Sequence, residues 1–202
     1  MRQTVLRLGI MVSLLIAAVV VRGAEYPDLL SAVKAGTVRA SFHGAGGSNV
    51  AVRIQRTSGG PLYVRVAPGT YFKPGEHVQA QVVLGTQWLD LRSNQVVMAN
   101  LETACCHIGR PAASSEHVMR PTACPDARLL RLCSSVDLRR DNRDAIQSAV
   151  WAISNNATRR ELFGYGSAGT EHETLRLLER ANVDVGTLRI KTRSTSRALH
   201  LW

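Results

Sequence analysis

The hydrophobic pattern of this chain changes period once, near residue 105, and that change limits what it can fold into. Before it, apolar residues alternate with polar ones. "TVRASFHG" (Thr37–Gly44) sets Val38, Ala40 and Phe42 against Thr37, Arg39, Ser41 and His43. "VAVRIQ" (Val50–Gln55) places Val50, Val52 and Ile54 on one face. "PLYVRV" (Pro61–Val66) and "APGTYFKPG" follow, then "VQAQVVL" (Val78–Leu84), "TQWLDL" (Thr86–Leu91) and "NQVVMANLETA" (Asn94–Ala104). Period two is the signature of a strand buried on one face. Gly-, Pro- and Asn-rich turns such as "AGGSN" and "SGG" separate the segments. Short alternating strands between such turns predict an N-terminal antiparallel β-sandwich of about seven strands.

After residue 125 the period is helical. "PDARLLRLCSSV" opens on Pro125 and gathers Leu129, Leu130, Leu132 and Cys133 on a broad apolar face. In "NRDAIQSAVWAIS", Ala145, Ile146, Ala149, Val150 and Ile153 form one stripe, with Asp141 or Asn142 available as the cap. Thr158 and Glu161 have capping-box spacing, and Thr170 and Glu173 repeat it ahead of Leu175, Leu178 and Ala181. "GYGSAG" between these two reads as a loop. The expected class is therefore α+β, the sandwich followed by a small helical subdomain. Its divisions are a leader at 1–23, an N-terminal segment at 24–35, the β domain at 36–105, an irregular linker at 106–124, the helical part at 125–185 and a basic tail at 186–202.

The first residues read as an export signal. Arg2 and Arg7 precede the uncharged run Leu8–Val21, and Val21 and Gly23 stand where a cleavage site needs small residues. The run is short for a spanning helix, which takes about 20 residues, and no later stretch is apolar enough to span a bilayer. The expectation is an exported protein, periplasmic, cell-surface or secreted. Loss of Arg2, Arg7 and Arg22 leaves 22 Lys and Arg against 15 Asp and Glu, a net charge of +7. A scattered basic excess suits an anionic surface or an unidentified macromolecule as partner. Nucleic-acid binding of the usual kind would interleave aromatics with the charge, and aromatics are 5% of the chain.

All four cysteines, Cys105, Cys106, Cys124 and Cys133, fall within 29 residues. In an oxidising compartment disulfides are their default state, and four cysteines allow three full pairings. A bridge from Cys105 or Cys106 to Cys133 would close a loop of about 27 residues, worth about 3 kcal/mol on the chain-entropy account. Zinc is disfavoured, because adjacent cysteines diverge along a strand whereas structural sites use C-x₂₋₄-C pairs. A catalytic pair of Cys105 or Cys106 with His107 would need a lowered thiol pKa and an orienting third group. No G-x-S-x-G, acidic pair or other catalytic constellation is present, and no metal or cofactor is called for.

"AIQSAVWAISNN" (Ala145–Asn156), downstream of a strand-borne cysteine, resembles a pattern in uncharacterised secreted bacterial proteins. In these a short β domain ends in a cysteine, and a helix of the Q-x-A-x-W type, an Asn-rich turn and a further helix follow. Cys105, Gly109 and Arg110, then Gln147 and Trp151, Asn155 and Asn156, and Glu161 and Leu162 match in order. The same Cys…Gln-x-A-x-W order is similar to the thioester domains of Gram-positive surface adhesins. There a glutamine side chain acylates a cysteine with loss of ammonia, and the product captures amines on a target. That resemblance implies Cys105 and Gln147 as the pair, beside Trp151. The residues after the cysteine, "CHIGR", depart from that family, and three cysteines would remain. Three functions follow as expectations: an exported non-enzymatic binding or structural protein, a covalent adhesin using Cys105 and Gln147, or a thiol-dependent enzyme.

Overall fold

The computed structural model describes residues 26–57, 59–75, 77–93, 96–164 and 168–190. The expected leader lies outside them. Among these residues the chain is α+β, with antiparallel strands β1 (Val38–Gly44), β2 (Asn49–Arg56), β3 (Tyr63–Val66), β4 (Tyr71–Lys73), β5 (Gln81–Val83), β6 (Gln87–Asp90), β7 (Val97–Cys105) and β8 (Arg120–Thr122). Six of them form one sheet in the order β1-β2-β7-β5-β4-β8, and β3 pairs with β6. The six-stranded sheet nearly closes on itself. Gly44 N–H donates to His117 C=O and Met119 N–H to Phe42 C=O, tying β1 to the approach of β8.

Helices α1 (Leu29–Lys34), α2 (Ala127–Ser135), α3 (Arg143–Ser154), α4 (Arg159–Phe163) and α5 (Ala168–Arg180) complete the fold. Two apolar cores result. Val38, Phe42, Val52, Ile54, Phe72 and Leu101 fill one, inside the strands. The other lies where α2, α3 and α5 cover the outer face, with Leu132, Ile146, Val150 and Leu178 against Val82, Leu84 and Ala104. Strand β5 therefore has both faces buried, its Val83 in the first core and Val82 in the second. The α3 cap is Asn142, whose Oδ1 accepts from Asp144 and Ala145 N–H. Thr158 and Glu161 form the expected capping box.

Several details differ from the sequence expectation. The linker at 106–124 carries β8, whose Pro121 reads as a breaker but is tolerated because β8 ends the sheet. The segment before residue 36 holds α1, capped by Asp28. Helix α5 begins at Ala168, so Thr170 lies inside it, and its C=O accepts from the Thr174 hydroxyl. The tail expected from 186 stays packed through Leu188 and Ile190, both buried in the helical core; residues 191–202 lie outside the described range.

Candidate functional site

The β2–β7 ladder stops before β7 does. Its last paired residues are Asn49 and Glu102, with one further bond from Thr103 N–H to Ser48 C=O. On the other side, Cys105 faces Gln81 of β5, and the neighbouring bond there runs from Cys106 N–H to Ala80 C=O. The amide and carbonyl of Cys105 are thus left on an edge where no strand continues. A side chain takes the strand's place. Cys105 N–H donates to Gln147 Oε1 at 2.9 Å, and Gln147 Nε2 donates to Cys105 C=O at 2.8 Å. Two turns along α3, Asn155 Nδ2 donates to Cys106 C=O at 2.9 Å and its Oδ1 accepts from Ile108 N–H at 3.2 Å. Helix α3 is docked on the end of β7 by two amides that mimic a neighbouring strand.

This seam borders a cleft of about 520 Å³ whose walls include Gly47, Gln79, Thr103, Cys105, Gln147 and Trp151. The Cys105 thiol is buried at 3% exposure and donates to Gly47 C=O at 3.0 Å. Burial pushes this thiol above the ordinary range, and the Gln81 amide draws it partly back. Three polar atoms on cleft residues have no hydrogen-bond partner among the described residues: Gln79 Oε1, Thr103 Oγ1 and Trp151 Nε1. Gln81 Oε1, beside Cys105, is a fourth. The orientation of both glutamines is fixed, because their Nε2 groups donate to Arg110 and Gly46 carbonyls at 2.6 and 2.7 Å. Buried polar atoms normally find partners, so these four stand out along the seam that Cys105 shares with the cleft.

The structure brings Cys105, Gln147 and Trp151 to one cleft. It does not bring the four cysteines together, and all four are free thiols, so the expected pair of disulfides is not formed in it. Cys106 and Cys133 are buried in the helical core, where Tyr71 also lies and Cys124 packs against it. Burial raises both buried thiols far above the ordinary range, and neighbouring thiols add to this. His107 points elsewhere: its Nδ1 accepts from Ala80 N–H at 3.3 Å. Among the described residues no group of three or more His, Cys, Asp or Glu is placed to hold a metal ion. Sequence reasoning missed Gln79, Gln81 and Thr103, and had Asn155 only as part of an Asn-rich turn. The first two looked like the solvated face of an alternating strand, and nothing local marks that face as covered.

No protein-family model, curated protein sequence or solved structure matches the chain.

Proposed function

We propose that this is an exported binding protein that holds its target covalently, through a thioester between Cys105 and Gln147. The observation that carries the reading is the contact itself. Two residues 42 positions apart meet at a cleft: the Gln147 amide bonds the Cys105 backbone, and the Cys105 thiol lines the same cleft. The step is an acyl exchange. The Cys105 sulfur adds to Gln147 Cδ, the Cδ–Nε2 bond breaks, the thiol proton leaves with that nitrogen, and ammonia is released. A target amine then attacks Cδ, forms an amide and returns the thiol. Cys105 N–H already donates to the oxygen that becomes negative as the sulfur adds, within the 2.7–3.1 Å expected of an oxyanion donor. The low exposure of Cys105 limits hydrolysis of the product. The thiol proton must leave for the sulfur to add, against the burial that holds this thiol above its ordinary range, and His107 Nδ1 is engaged with Ala80 N–H.

A second reading rests on the unpartnered Gln79, Thr103 and Trp151 atoms: a cleft that binds a polar ligand reversibly, with Gln147 serving only to dock α3. The basic surface would then supply the attraction to an anionic partner. The intact mass of the mature chain separates the two. Covalent capture predicts a mass short of one ammonia that rises by one methylamine when methylamine is added, and a full mass in Cys105→Ala and Gln147→Ala. A full mass in the wild-type chain, with no methylamine uptake, leaves reversible binding.

A further inference from the structure

Tyr71, Cys106, Cys124 and Cys133 form a second cluster, on the helical side of the sheet and independent of the cleft. Cys133 comes from α2, within hydrogen-bond reach of the Gly69 backbone. Cys124 sits just before α2, and its Cβ is 3.6 Å from where a side chain at Gly69 would begin. Gly69 has φ of +80°, so this turn before β4 suits glycine, and it places both cysteines beside one residue that has no side chain. Cys106 has partners of its own, the Tyr71 hydroxyl and, at 3.9 Å, the Ala104 C=O. Exposure separates the three further. Cys106 and Cys133 are 1% and 0% exposed, while Cys124 is half-buried, its thiol donating to Asp126 C=O at 3.3 Å.

We propose that Cys124 and Cys133 form a redox site, closing a disulfide that clamps the exit of β8 to α2 and leaves Cys105 and Cys106 reduced. The oxidant is an external disulfide, protein-borne or small. The Cys124 thiolate attacks it, forming a mixed disulfide and releasing one thiol. The Cys133 sulfur, losing its proton, then attacks the Cys124 sulfur and releases the second thiol. Two protein thiols become one bridge, and the external disulfide becomes two thiols. Cys124 is the entry point because it alone of the three is not fully buried, and Cys133 resolves because it shares the Gly69 turn. High thiol pKa values make the exchange slow at neutral pH. This assignment also removes the odd count left by a Cys105 thioester: one bridge and one Tyr71-bound thiol account for the other three cysteines.

The test uses the reduced mature chain with oxidised glutathione as the probe. Excess glutathione is removed, the chain is denatured without reductant, and the remaining thiols are counted by maleimide mass shift. The reduced sample gives the starting count, so a thioester at Cys105 does not confuse the result. The expected outcome is a loss of two thiols and two hydrogens, with no glutathione attached. Cys105→Ala and Cys106→Ala should still close the bridge. Cys133→Ala should stop at a glutathione adduct on Cys124, and Cys124→Ala should lose no thiol. Cys124 is half-buried, so its alanine variant is the one least able to disturb the fold, and a near-ultraviolet circular dichroism spectrum checks each variant. A bridge that survives Cys124→Ala but not Cys106→Ala would overturn the assignment, as would a wild-type chain that keeps every thiol.

Discussion

Cys105 and Cys106 are neighbours in the chain, and the sheet sends their side chains into different surroundings. Cys105 lines the cleft beside Gly47 and Gln147. Cys106 enters the helical core among Tyr71, Leu132 and Cys133. Both thiols are buried and both are raised by burial, Cys106 much the further. Their partners differ too. Around Cys105 there are amides, a hydroxyl and an indole N–H, several without partners. Around Cys106 there are hydrocarbon, a phenol and two more sulfurs. A pleated strand separates successive side chains by construction, so one doubled residue can serve a polar site on one face and a thiol cluster on the other. The "CC" at the centre of this sequence is two single cysteines.

Three substitutions probe that division, in order of effect. Gln147→Ala removes both partners of the Cys105 backbone, leaving a buried N–H and C=O unpaired beside the cleft. The expected cost is about 2–4 kcal/mol by denaturant unfolding, at about 1–3 kcal/mol for each orphaned group with some relief from water. An unchanged midpoint would mean that the amide does not dock α3. Gln147→Glu keeps one acceptor for Cys105 N–H and should lose less. Tyr71→Phe tests the other face. It removes the hydroxyl that meets Cys106 while keeping the ring in the core, for an expected cost of about 1 kcal/mol. It should also free the Cys106 thiol for exchange, so that glutathione treatment yields a mixture of bridges in place of one. If Tyr71→Phe still gives a single bridge, the hydroxyl is not what sets Cys106 apart.

How much of this was legible in the sequence follows from which signals are local. The strands and the α3 stripe were readable because side-chain period reports directly on burial. The α3 cap, to within Asp141 or Asn142, and the Thr158–Glu161 box were readable because their bonds span three residues or fewer. The pairing of Cys105 with Gln147 is implied by a resemblance; in the structure Gln147 meets the Cys105 backbone, an amide standing in for a strand where the β2 ladder ends. That ending is a property of register and could not be read from composition. Gln79 and Gln81 illustrate the same limit. Their alternation with Val78, Ala80 and Val82 implies a polar face, but only the packed fold shows that face closed by the 46–47 and 110–112 backbone. Strand β8 and helix α1 were missed for a simpler reason. Each is too short to establish a period, and each is held by neighbours distant in sequence.

The residue after the two cysteines offers the mildest and most discriminating of the tests. His107 lies where the chain leaves β7, its ring accepting from Ala80 N–H, one residue from the Gln81 that faces Cys105. Burial holds its pKa below the ordinary imidazole range, and the charge of Arg110 pushes in the same direction. The folded chain therefore binds this proton less readily than the unfolded chain does. Stability from His107 is complete above about pH 6.5, the unfolded value, and is lost as pH falls through the lower folded value. The protonated ring could no longer accept from Ala80, so the loss should be felt first at the β5–β7 junction that carries both cysteines. Urea unfolding from pH 8 to pH 5 should show a shallow decline in midpoint, and His107→Gln, which keeps an acceptor but cannot titrate, should flatten it. The ring is largely solvent-screened, so the slope is small. An identical slope in wild type and variant would place the pH dependence elsewhere. A flattened slope together with unchanged methylamine uptake would show that His107 supports the strand end and takes no part in the chemistry of Cys105.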